Sequence, residues 1–204
     1  MRGVEQIPWL YDAMCAVMEF TGLKKWRAWL VGGARGRTLE VGCGTGRNLA
    51  RYGELPALVA IEPDADALEK AKGRRGQALL VRASAEALPF RAGAFDTVVS
   101  SLVFCSVPRA EVGLAEVKRV LAADGTVRML EHVRDEGWYG RVQDAIQPAW
   151  TKVAGGCHPN RRTEQAVESA GFTLSERRAN GTMRRFVAKP PSPLERGEGR
   201  GEGP

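Results

Sequence analysis

The stretch Leu39-Glu-Val-Gly-Cys-Gly-Thr-Gly46 does most to limit what this chain can become. It sets three glycines on alternate positions directly after an apolar run. The run reads as a buried strand, and glycines at its exit allow positive φ and a close approach of backbone to a ligand. Three glycines in five positions carry an entropy cost that a plain tight turn does not require. A small-molecule site is therefore expected at this exit.

The chain around it alternates strand and helix signals. "RTLEVG" reads as strand one, and "GRNLARYG" as a helix closed by Gly53. "ALVAIE" is a second strand, and "DADALEKAKGRRG" a helix with Asp64 placed to cap its free N–H groups. "QALLVRA" and "FDTVVSSLVF" follow as strands, the latter apolar and β-branched enough for burial on both faces of a parallel sheet. "RAEVGLAEVKRVLAADG" puts Leu114, Val117 and Leu121 on one helical face and closes at Gly125, and "TVRMLEHV" is strand five. Residues 138–157 show no clear period. Beyond them lie a helix, "RRTEQAVESAG", and two short strands joined by Asn180-Gly181, a two-residue hairpin signal. This alternation implies right-handed crossovers: an α/β fold with a doubly wound, mostly parallel sheet of seven strands, closed by an antiparallel C-terminal hairpin strand.

In such a sheet the ligand crevice lies at the carboxyl ends of the strands. A dinucleotide site wants G-x-G-x-x-G, with pyrophosphate resting on the helix N-terminus. Here the third glycine comes one position early, and Arg47 stands where it should be. Glu40, two residues ahead of Gly42, offers negative charge that suits a cation better than a pyrophosphate. A nicotinamide-dependent oxidoreductase is the disfavoured alternative. S-adenosylmethionine, with an ammonium, a sulfonium and no phosphate, fits. Glu62 ends the second strand about 20 residues on, where a carboxylate accepts both hydroxyls of an unphosphorylated ribose.

These linked motifs resemble the class I S-adenosylmethionine-dependent methyltransferases of the small-molecule group, over roughly residues 36–175. "LEVGCGTG" resembles the family's first motif and "AIEPDADAL" the second. "ASAEALPFRAGAFDTVVSSLVF" resembles the segment from the adenine contact into strand four, and "EVKRVLAADGTVRMLEHV" the helix and strand after it. The resemblance implies a Rossmann-like methyltransferase domain over 34–189. It implies contact of Glu40, Gly42, Cys43, Gly44 and Gly46 with the methionine part, and of Glu62 and Pro63 with the ribose. Ser84, Ala85 and Glu86 would edge the adenine, and Leu102 would lie beneath the cofactor. The family usually has an aspartate where this chain has Ser84. "SLVFCSV", "EHV" and "GCHPNRRTEQAVESAGF" are similar to the branch that includes the alkyl-thiol S-methyltransferases, with relatives assigned to lipid or quinone methylation. The implied acceptor is a small, mostly apolar thiol, quinone-like phenol or aminolipid.

Reactivity in such a transfer belongs to the cofactor, and the protein aligns the nucleophile and excludes water. No triad, paired-carboxylate or metal signature is needed, and no metal is expected. His132, beside Glu131 at the end of strand five, is the base candidate, with a histidine satisfied by nearby backbone as the plain alternative. His158, in "GCHPN", is a pocket or capping residue. A cofactor-binding sensor or membrane-associated module without turnover is the non-enzymatic alternative.

Residues 1–33, rich in Trp, Tyr, Met and Leu at helical spacing, read as helix; core packing is the plain reading, and the functional one is a helical lid over the cleft with Tyr11 near the methyl group. Shallow membrane insertion aided by Lys24, Lys25 and Arg27 is a further reading of this segment. Acids at Glu5 and Asp12 disfavour a secretory leader, and Cys15, Cys43, Cys105 and Cys157 form no C-x-x-C pair, so a cytoplasmic protein with reduced thiols is expected. The formal net charge of +6 comes with Arg161-Arg162, Arg177-Arg178 and Arg184-Arg185. Without interleaved aromatics these doublets read as a solvated face, and no nucleic-acid partner is expected. Residues 190–204, mostly Pro, Gly, Glu and Arg, read as a disordered tail.

Overall fold

β-branched and apolar runs become strands here, and two register details follow from glycine. In the computed structural model, which describes Trp9 and residues 22–154 and 156–191, seven strands form one sheet. They are β1 (Arg37–Val41), β2 (Ala57–Ile61), β3 (Leu79–Val81), β4 (Phe95–Ser101), β5 (Leu121–His132), β6 (Thr173–Asn180) and β7 (Met183–Lys189), in spatial order β3-β2-β1-β4-β5-β7-β6. The first five are parallel. β7 runs antiparallel between β5 and β6, so the outer edge is β6. The expected fold stands. The order reverses between β1 and β4, which opens a crevice at their carboxyl ends.

The helices among the described residues are α1 (Lys24–Gly32), α2 (Ala65–Lys72), α3 (Ala110–Val120), α4 (Trp138–Val153) and α5 (Thr163–Ser169). Strand alternation splits the core. Val98 and Met129 pack with Leu114 and Val117 of α3 and Val167 of α5, whereas Val99 and Leu130 pack with Leu30 of α1. Arg128 clamps α1 to the sheet. Its guanidinium donates to the carbonyls of Leu30 and Trp29, both at 2.8 Å, and stacks 4.3 Å above the Trp29 ring. These are last-turn carbonyls with no partner inside the helix, so a cation there satisfies both valence and dipole. α1 is the described part of the expected lid. Tyr11 and nearly all of 1–21 lie outside the described residues, as do 192–204.

Four local expectations change. The helix expected after the glycines is a single 3-10 turn at Leu49–Arg51, because Gly46 at φ +81° delays entry and Pro56 forces Leu55 toward extended backbone. α3 ends at Val120, and Gly125 falls in an irregularity of β5 between the Phe95–Leu121 and Thr97–Thr126 pairs. Asn180 pairs with Met183, so the turn residues are Gly181 and Thr182. Residues 138–153, read as irregular, form a 16-residue helix.

The arginine doublets are not simply solvated. Arg161 donates to the Phe104 carbonyl at 2.6 Å and also to that of Val107, and Arg185 stacks on Trp26 and Trp29. Arg177 and Arg184 pair with Glu164.

Candidate functional site

A cavity of about 270 Å³ opens at the carboxyl ends of β1, β2 and β4. β1 delivers Glu40, Gly42 and Cys43 to it, β2 delivers Ile61 and Glu62, and β4 delivers Ser101 and Leu102. Gly42 sits at φ +66°, and a Cβ there would lie 2.5 Å from the Val103 side chain. Gly44, at φ +54°, is different: a Cβ would meet nothing within 4 Å. Gly44 also lines the cavity, where backbone can approach a ligand.

Glu40 is 1 % exposed. Oε1 accepts from Asn48 Nδ2 at 2.9 Å, while Oε2 is buried and meets no aligned donor. Burial pushes its pKa up to about 7, opposed by hydrogen bonding from Asn48 and Tyr52 and by the charge of Arg27. Arg27, 3 % exposed, enters from α1 and donates to Asn48 Oδ1 at 2.7 Å. It therefore lines the cavity and cannot aid membrane insertion. A buried carboxylate and a buried guanidinium thus face one space, which suits the ammonium and carboxylate of an amino acid.

Glu62 holds the glycine loop. Its Oε2 accepts from the Gly44 N–H at 2.9 Å and its Oε1 from the Asp64 N–H at 3.0 Å. Each carboxylate oxygen keeps a further lone pair, enough for the two hydroxyls of a ribose. Burial raises its pKa, against those two bonds. Asp64 then caps α2 by accepting from the Ala67 N–H at 2.9 Å. The residues present therefore fit S-adenosylmethionine, with a buried carboxylate and guanidinium at one end and a vicinal-diol acceptor further along.

Pro63, Ser84, Ala85 and Leu102 also line the cavity. Ser84 Oγ accepts from the Glu86 N–H at 3.2 Å, which closes the turn at that edge. Leu102 holds φ +60°, left-handed backbone in a residue other than glycine. Three expected residues are elsewhere. Gly46 does not line the cavity; a Cβ there would lie 3.1 Å from Ala71 Cα, so glycine lets α2 pack closely. Glu86 turns to Arg109, 2.9 Å away. His132 lies opposite Met183 of β7, outside the cavity wall, with Nδ1 buried and unpartnered; burial lowers its pKa and keeps it neutral.

The wall after β4 is held from two sides. Glu131, fully buried, accepts from Ser100 Oγ at 2.9 Å and from the Val103 N–H at 3.4 Å, with the Phe104 and Cys105 N–H groups adding to the hold. Burial raises its pKa to about 7. Opposite, Arg161 grips the Phe104 and Val107 carbonyls, and the His158 N–H donates to the Cys105 carbonyl at 2.8 Å. His158 is thus a stitch outside the cavity wall. Cys105 and Cys157 pack together with Ala154 as core. The cavity-side thiol, Cys43, is pushed up by burial and by Glu40 and Glu62, so it stays protonated. Among the described residues no three potential ligands gather in a metal-binding group.

Sequence reasoning missed Arg27, Asn48 and Glu131. Arg27 sits in an aromatic helix and Asn48 in an assumed helix, and neither belongs to a motif. A polar residue on the apolar side of β5 was the one available signal for Glu131.

A family described as methyltransferase domain matches residues 39–129. The human thiol S-methyltransferase TMT1A is 33 % identical over 144 residues, 66 % of this chain and 59 % of that protein. A phosphatidylethanolamine N-methyltransferase of Cereibacter sphaeroides is 33 % identical over 118 residues, 54 % of this chain and 58 % of that protein. The chain therefore spans under two thirds of the curated relatives it matches. A crystal structure of a SAM-dependent methyltransferase from Thermotoga maritima superposes with a TM-score of 0.72 at 20 % identity, over 91 % of this chain and 96 % of that one. That last likeness speaks for the fold.

Proposed function

Since the chain belongs to the class I S-adenosylmethionine-dependent methyltransferases, we propose that it transfers the methyl group of that cofactor to a small, mostly apolar acceptor. The observation that carries this reading is Glu40, a carboxylate 1 % exposed, set near the buried guanidinium of Arg27 and facing a cavity that also presents Glu62. Glu40 receives the ammonium, Arg27 the carboxylate, and Glu62 the ribose hydroxyls. Ser84 and Ala85 edge the adenine, and Leu102 supports the cofactor from below. When bound, S-adenosylmethionine supplies an electrophilic methyl on a sulfonium. The protein's own task is alignment and water exclusion, with Val103, Val107 and Pro108 as the apolar wall on the acceptor side.

An acceptor that ionises readily needs least from such a wall. A thiol, with a pKa of about 8.5, is the best candidate, in keeping with the relatives named for thiol methylation.

The test is a radiolabelled-methyl assay of the full chain against alkyl thiols, demethylquinones and phosphatidylethanolamine. Label on a thiol supports the reading. Tight cofactor binding by calorimetry with no label on any acceptor would assign a sensor instead.

A further inference from the structure

Helix α4 is built inside out. Its protein-facing side is Gly140, Gln143, Gln147, Thr151 and Ala154, small or polar. Gln143 is 2 % exposed and fully engaged: it donates to the Val133 and Pro159 carbonyls and accepts from the Asp135 N–H. The solvent side carries Trp138, Tyr139, Val142, Ile146, Trp150 and Val153, between 38 % and 75 % exposed. Steps of four along 138, 142, 146 and 150 make these a continuous stripe. An ordinary surface helix turns such a stripe inward.

Charge beside the stripe narrows the occupant. Arg141 and Lys152 flank it on one side. Asp144, the helix's acid, is occupied by Arg134 at 2.8 Å and by Asn160. The flank is therefore net positive. Tryptophan and tyrosine beside an aliphatic row, rimmed by cations, match the requirements of a helix lying in the boundary between headgroups and acyl chains. A second copy of this chain would bring the same positive flank against itself.

We propose that the outward face of α4 seats the protein on an anionic lipid surface. The helix then lies along the membrane plane, its apolar row in the acyl boundary and Arg141 and Lys152 on the headgroups. Its far end connects to the cavity: Thr151 Oγ donates to the Cys157 carbonyl at 3.0 Å, and the next residue's N–H donates to the Cys105 carbonyl beside Ser106 of the wall. Seating itself needs no methyl donor.

Co-sedimentation of the full chain with vesicles tests this. Vesicles of phosphatidylglycerol and phosphatidylcholine in equal parts should bind the protein, and phosphatidylcholine alone should bind it far more weakly. Ile146→Glu with Trp150→Glu should lower partitioning by more than tenfold while circular dichroism and cofactor affinity stay unchanged. Arg141→Ala and Lys152→Ala should each cost about fivefold on the anionic vesicles alone. Wild-type protein left in the supernatant, or equal binding by the double variant, would overturn the proposal. A light-scattering dimer dissolved by the same double variant would assign the face to a second copy. Protection of Trp138 and Trp150 from hydroxyl-radical oxidation in the lipid-free monomer would assign it to the chain's own remaining residues.

Discussion

The two halves of the sheet are built on different terms. On the β1–β3 side, the cavity rests on short-range links: Glu62 holds Gly44 and Asp64, and Asp64 caps α2, all within a span of 25 residues. On the β4–β7 side, the supports of the wall after β4 and of α1 are longer-range: Glu131 reaches the loop after β4, Arg161 reaches the same loop from beyond α4, and Arg128 reaches back to α1. A loop that must keep one geometry around a cofactor is fixed locally. A wall that must suit a particular acceptor is fixed by contacts between distant segments, so its shape can change while the cofactor loop stays as it is.

The largest expected effect would break this contrast outright. Gly44→Arg puts a long cationic side chain at a cavity-lining, positive-φ position and should abolish cofactor binding by calorimetry. Glu62→Ala removes two loop bonds and the ribose acceptor, and should weaken binding by about ten- to a hundredfold. Unchanged affinity in both would mean that the glycine loop is not the cofactor site.

On the other half, Gln143→Ala strands two buried carbonyls and one N–H. A loss of about 2 kcal/mol in denaturant unfolding is expected, with cofactor affinity retained. Loss of cofactor affinity there would erase the distinction between the halves.

The pH dependence of cofactor binding sharpens it. Free Glu40, with its pKa raised to about 7, holds a proton below that pH, and an ammonium ligand favours the charged form. Affinity should therefore rise with pH up to about 7, by roughly tenfold per unit well below it, and then level off. Glu40→Gln should flatten the profile. The same raised pKa has the opposite sign for stability: Glu40 and Glu131 both favour the fold below about 4.5, their ordinary value, and lose that contribution as pH climbs through about 7. The smallest effect belongs to the cap, where Asp64→Ala should cost about 1 kcal/mol of stability.

The same division governs what could be read from the chain. β1, β2, β4 and β5, the N-cap at Asp64 and the positions of Gly42, Gly44 and Glu62 at the cavity were legible because each depends on a pattern within a few neighbouring residues. Gly46 shows the limit of that reading. Its positive φ belongs to the motif, but its partner Ala71 is a packing fact. α4 was unreadable for a physical reason. Pro148, a residue that usually ends a helix, lies inside it, and its polar face turns inward, so the usual inference from apolar period to buried face does not apply.

Local sequence decided the strand-to-helix exits, the glycine loop and the carboxylate ending β2, because backbone conformation and hydrogen bonding over short separations need no distant partner. Only the folded chain decided that Arg27 enters the cavity beside Glu40, that Glu131 carries the wall after β4, and that α4 turns its tryptophans outward. Each of these joins segments whose encounter depends on strand order and on which face a helix presents, and no spacing along a single sequence encodes that.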